Sequence, residues 1–163
     1  MKGFRTATMF NQLFPQRADN TYRGYKFALW LFAVVLLLRG FQSLVSVFKG
    51  YSTLTVADGI PLDRYTTAGA QTLVSMFAIL GFTQFLICLL GVLALARYRN
   101  LVPLMFTLLL LQYLGGRLIL RLLPVVRIGT PPGFYVNLAI LALMIVGLAL
   151  SLRSRDRGQV QQS

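Results

Sequence analysis

The sequence predicts an all-α, polytopic membrane protein built as an antiparallel bundle of four transmembrane helices. Three observations predict it. Four apolar runs are each long enough to cross a bilayer. Charge is scarce: 12% of the 163 residues are charged and 56% hydrophobic, whereas a soluble domain carries about 25% charged residues. Lys and Arg gather at one set of run ends, the asymmetry that orients membrane spans.

The runs occupy residues 27–48, 69–96, 101–123 and 133–152. A spanning helix takes roughly 20 apolar residues. None of the runs alternates like a barrel strand, and each is apolar around the whole helix. Four runs of this length cannot close a barrel, the other structure that satisfies its backbone in lipid. Short connections place successive helices antiparallel. Pro103 falls in the first turn of the third run, where proline is tolerated. Pro124, Pro131 and Pro132 bound the third connection. Asp58-Gly59 and Pro61 mark turns in the first connection, residues 49–68. At about 20 residues, that loop is long enough to fold over the outer mouth of the bundle.

Orientation follows from the basic residues. Residues 1–26 carry Lys2, Arg5, Arg17, Arg23 and Lys26, the second connection Arg97 and Arg99, and the tail, 153–163, Arg153, Arg155 and Arg157. The first connection offsets Lys49 and Arg64 with Asp58 and Asp63, and the third holds only Arg127. Both ends and the second connection are therefore expected in the cytoplasm. The first run is read as a span, not a cleaved signal: it is too long and Arg39 interrupts it. Ahead of it, Met9, Phe10, Leu13 and Phe14 recur at helical spacing before Pro15. They fit either a short helix lying on the inner surface or a basic leader without structure.

Sixteen Lys and Arg against four acidic residues give a net charge of +12. Such a balance raises nucleic-acid binding, but the basic residues flank apolar runs, so the lipid bilayer is the expected partner and nucleic acid is not. There is no His and one Cys, Cys88. That leaves no His/Cys metal site and no internal disulfide, and no cofactor is expected. No carboxylate or Lys lies inside a run, and no nucleophile–base pair or phosphate-binding glycine loop occurs. The chain is not expected to be an enzyme acting alone.

Polar groups inside the spans are the functional pointers, because each is costly in lipid. They are Arg39 and Gln42 in the first, Gln71 and Gln84 in the second, Gln112, Arg117 and Arg121 in the third, and Asn137 in the fourth. At about 1.5 Å per residue, Arg39 lies roughly 18 Å and Arg117 roughly 24 Å from the cytoplasmic side. Gln84 and Gln112 fall near the midplane, Gln71 and Asn137 near the outer end, with Asp58 and Asp63 just above. In one reading, Arg39, Gln42, Gln71, Gln84, Gln112, Arg117 and Asn137 surround an outer-half site for an anionic lipid or quinone-like ligand, bound by the planar arginine forks. In the other, Arg117 and Arg121 snorkel outward and Arg39 pairs with Asp58, Asp63 or glutamines. Gln84 and Gln112 could bond across helices. Gly115-Gly116 allows close packing or a looser helix. Trp30 and Tyr135 read as interfacial anchors, and Cys88 as a small packing residue.

Arg39-Gly40 late in the first span, Gly59-Ile60-Pro61 in the outer loop, Gly81, Gln84 and Gly91 in the second span and the turn Arg97-Tyr98-Arg99 follow one another in an order that resembles the DoxX-like small bacterial membrane proteins. The likeness covers residues 27–152. It implies a compact four-helix bundle of the bacterial inner (plasma) membrane, often an accessory part of a membrane redox system. Gln84 stands where that pattern leads one to expect an acidic residue. The leading expectation is a non-catalytic accessory or scaffold subunit that packs against partner subunits or self-associates. The alternative is the ligand binder or carrier built around Arg39 and Arg117.

Overall fold

The structure, a computed structural model, describes residues 20, 22, 24–129 and 131–153. The stretch around Met9–Phe14 and the tail beyond Arg153 lie outside the described residues. The described chain is helical, with four helices long and apolar enough to cross a membrane. They are α1 (Lys26–Phe48), α2 (Thr67–Arg97), α3 (Val102–Leu122) and α4 (Pro132–Leu152).

Local sequence sets the ends. Thr66 caps α2, its hydroxyl accepting from the Gly69 amide at 3.2 Å, one of the amides left without a helical partner. Proline opens both α3 and α4 at the first turn, where its missing N–H is not needed. The α2–α3 connection is a single tight turn, Arg99–Leu101. After α1 the chain continues through one helical turn, Gly50–Ser52, and a π-turn, Thr53–Ala57. Gly59 then reverses it at φ 67°, a conformation that costs glycine little and other residues more.

α1 packs against α2 and α4, and α3 packs mainly on α4. One apolar core joins all four: Phe32, Val35 and Leu36 of α1, Cys88 and Ala94 of α2, Val102, Met105, Phe106 and Leu109 of α3, and Ile140 and Met144 of α4. Phe32 and Phe106 meet edge to face, centroids 4.8 Å apart, an arrangement worth about 0.5–1.5 kcal/mol beyond packing area. Three glycines let backbones approach. A Cβ at Gly81 would sit 2.8 Å from Ser46 Cβ, one at Gly91 2.5 Å from a Leu36 methyl, and one at Gly147 inside the Phe106 ring.

The two ends differ. At the end bearing the chain termini, Tyr22 Oη donates to Ser151 Oγ at 3.0 Å and the Tyr25 amide to Leu150 O at 3.4 Å. At the loop end, the Ile128 amide donates to Gly59 O at 2.8 Å, joining the first and third connections. Leu54, Pro61 and Leu62 are buried there, so the first connection is pinned over the helix ends.

The outside is apolar. Trp30 is 73% exposed and Phe48 81%, among many exposed Leu, Ile, Val and Phe. A water-soluble monomer seldom exposes a continuous apolar surface of this extent; hydrocarbon solvates one freely.

Candidate functional site

Between the helices at the loop end lies an open cavity of about 430 Å³. Its polar lining comes from every helix. Arg39, Gln42, Ser43 and Ser46 come from α1, Gln84 from α2, Gln112 from α3 and Asn137 from α4. The first connection closes its top with Thr53, Ala57 and Asp58. Gly133 makes that lid possible: a Cβ there would fall 2.6 Å from Ala57 O. Single π-turns such as Thr53–Ala57 recur at functional sites; this one sets the lid against the first turn of α4.

Helical geometry explains the convergence. Arg39, Gln42, Ser43 and Ser46 follow the i, i+3, i+4, i+7 pattern of one face, and so do Phe77, Gly81 and Gln84 on α2. Gly81 brings these two faces together. Ser43 and Ser46 donate to the Gly40 and Gln42 carbonyls at 2.6 and 2.9 Å, which leaves Arg39 and the glutamines to face the space.

Arg39 is held loosely. Its Nη1 donates to Asn137 Oδ1 at 3.5 Å, the limit of a hydrogen bond. Its guanidinium lies 5.4 Å from the Tyr113 ring centroid. Its described partners are thus a neutral amide and an aromatic ring, not the carboxylates of Asp58 or Asp63. The expected ion pair is replaced because Asp63 turns outward beside Tyr65 at the surface, while Asp58 lies in the lid.

Of the seven residues singled out from sequence, five line this cavity: Arg39, Gln42, Gln84, Gln112 and Asn137. Gln71 does not. It lines a separate surface groove with Tyr51, Leu62, Asp63 and Tyr65. Thirteen residues before Gln84, it points about 140° away around the same helix. Arg117 does not line the cavity either. Its Nε and Nη2 donate to Tyr113 Oη at 3.1 and 3.0 Å, and its guanidinium lies 4.9 Å from the Phe134 ring. Tyr113 therefore carries two arginines, Arg39 and Arg117, each 5.4 Å from its ring. Arg121 is exposed. Gln84 does not bond to Gln112; its Nε2 donates to the buried Cys88 Sγ at 3.6 Å.

The wall toward α3 is thin. Gln112 is its sole contribution to the lining, and the buried residues of α3 end at Leu109. The cavity is open, and its lining is thinnest toward the loop-end half of α3. Among the described residues no group of His, Cys, Asp or Glu could hold a metal.

Among the described residues, Asp58 is the one carboxylate on the cavity. Burial pushes its pKa above the ordinary carboxylate value, and the Arg127 charge works against that shift. A raised folded pKa means the folded protein binds the proton more tightly than the unfolded chain. Stability is therefore favoured at low pH and falls as pH rises through the elevated value. Asp58→Asn is expected to melt no lower than the native protein at pH 7, and the gap between them to narrow on acidification. Thermal melting of the two proteins in detergent as a function of pH checks this.

Comparison with protein-family models, with curated proteins and with solved structures finds no match to this chain.

Proposed function

We propose that the chain is a multi-pass membrane protein that binds the polar head of an anionic or carbonyl-bearing amphiphile, a lipid or a quinone, in the Arg39 cavity. One observation carries this reading: an arginine without a carboxylate partner among the described residues faces a cavity to which all four helices contribute an amide or guanidinium. Intramembrane charge is costly and is usually paired or functional. A guanidinium offers five donors in a planar fork, and one long bond to Asn137 leaves most of them for a guest. An open cavity suits a ligand whose tail stays in lipid.

In this reading the four helices form an antiparallel bundle in a bacterial inner membrane. Both chain ends and the Arg97–Arg99 turn face the cytoplasm, and the lidded cavity opens toward the outer leaflet. A DoxX-like relationship is part of the same proposal. A scaffold role is the second reading. It draws support from the outer face of α1, where Phe27, Trp30, Leu37, Phe41 and Phe48 are exposed at the spacing of a helix-packing seam.

Photo-crosslinking separates the two. A phospholipid or quinone analogue with a diazirine near its head is expected to label peptides containing Gln42 and Gln84. Labelling confined to the outer face of α1 would count against a cavity ligand.

A further inference from the structure

Two opposite charges share the cavity without meeting. Arg39 reaches Asn137 on α4, whereas Asp58 lies against Gly133, its Oδ1 3.6 Å from the Cβ position there. Gly133 and Asn137 are one turn apart on α4, about 6 Å along its axis. The rest of the cavity's polar lining is neutral amides and hydroxyls, Gln42 and Gln84 among them. Arg127 tempers the Asp58 charge from the third connection, but it does not line the cavity.

A guest must answer both charges. A simple anion satisfies Arg39 and sets its own charge against Asp58. A quinone carbonyl accepts from Arg39 and leaves the half-buried Asp58 carboxylate with only Arg127 to temper it, which is costly where water is scarce. A cation alone leaves Arg39 facing it. A dipolar head answers both, through a charge-assisted bond at each end. We infer that the cavity takes a zwitterionic aminoalkyl phosphate, the phosphate on Arg39 and the primary ammonium on Asp58, as in the head of phosphatidylethanolamine. The two-carbon arm of ethanolamine can bridge a gap of about one helical turn once hydrogen bonds extend it at both ends. The acyl chains leave on the side toward α3, where Gln112 alone lines the cavity.

This inference rests on the reading of the cavity as the seat of an amphiphile's head, and the test separates the two. The full-length protein is exchanged into nanodiscs holding equal amounts of dioleoyl phosphatidylethanolamine and dioleoyl phosphatidylglycerol, and retained lipid is counted by native mass spectrometry. Phosphatidylethanolamine is expected to be retained in preference by about tenfold, the worth of one charge-assisted hydrogen bond. Asp58→Asn is expected to erase that preference, and Asp58→Glu to keep most of it. Circular dichroism and melting confirm that each variant is folded. Equal retention of the two lipids by the native protein overturns the inference, and so does an undiminished preference in Asp58→Asn. If Arg39→Leu still weakens lipid retention, the cavity reading survives that result. If Arg39→Leu changes nothing, both fail. Displacement of the lipid by soluble glycerophosphoethanolamine at equal concentration supports the same head chemistry and assigns it to a free compound. Resistance to displacement assigns it to the lipid.

Discussion

Replacing Arg39 by leucine is expected to strip the protein of its bound amphiphile while leaving it folded. The contacts that Arg39 makes within the chain are weak: a 3.5 Å bond to Asn137 and a place beside the Tyr113 ring. A cation–π contact is worth about 0.5–2 kcal/mol, and a hydrogen bond about 1 kcal/mol when its geometry is good. Against these stands the cost of placing arginine deep in a bilayer, about 2.5–3.5 kcal/mol on insertion scales. Leucine avoids that cost and keeps an apolar body in the helix. The variant is therefore expected to melt at or above the native temperature. Ligand retention is expected to fall on the order of ten- to a hundredfold, the equivalent of losing a charge-assisted bond. Melting combined with mass analysis of extracted lipid reads both. A folding collapse, with lipid lost only in step with it, would make Arg39 a structural residue.

The second large effect concerns stability. Gly147→Val is expected to disrupt the packing of α3 on α4. A Cβ at position 147 would overlap the Phe106 ring, and Phe106 is wholly buried and held edge-on by Phe32. Either the buried ring shifts against its core neighbours or the backbones part. Overpacking of this kind costs about 1–3 kcal/mol, occasionally more. α3 buries residues only as far as Leu109, and Phe106 lies within that short stretch. Trimming the ring in a Phe106→Leu, Gly147→Ala pair is expected to recover part of the loss relative to the sum of the single changes. Coupling between touching residues runs about 0.5–3 kcal/mol. Unfolding in denaturing detergent, followed by circular dichroism, measures it. Additive single and double changes would mean that the two positions do not pack together.

The helices were legible because hydrocarbon demands length and apolarity together. Proline and arginine punctuate the chain at 97–103 and 124–132 and leave little choice of boundary. Rise per residue fixes a position along each helix axis. Direction around the helix was the harder quantity. Gln71 and Gln84 share α2 and a common polarity but face different ways. Gln112 and Arg117, five residues apart, likewise diverge by about 140°. The spacing Arg39, Gln42, Ser43, Ser46 did contain the direction, since four polar residues on one face mark the cavity side of α1. A serine carries little signal because it can satisfy itself on its own helix, as Ser43 and Ser46 do. Tyr113 was signalled only by Arg117 one turn later. The lid was not legible: burial of Leu54, Pro61 and Leu62 under the loop depends on contacts between segments distant in sequence.

The central claim is that a molecule occupies the Arg39 cavity, and native mass spectrometry of the protein released gently from its own membrane tests it most directly. A protomer or homo-oligomer carrying one stoichiometric amphiphile mass per chain, absent from Arg39→Leu, is the expected result. A chain that leaves the membrane without such a mass, or within a defined complex of other subunits that persists unchanged in Arg39→Leu, would contradict it.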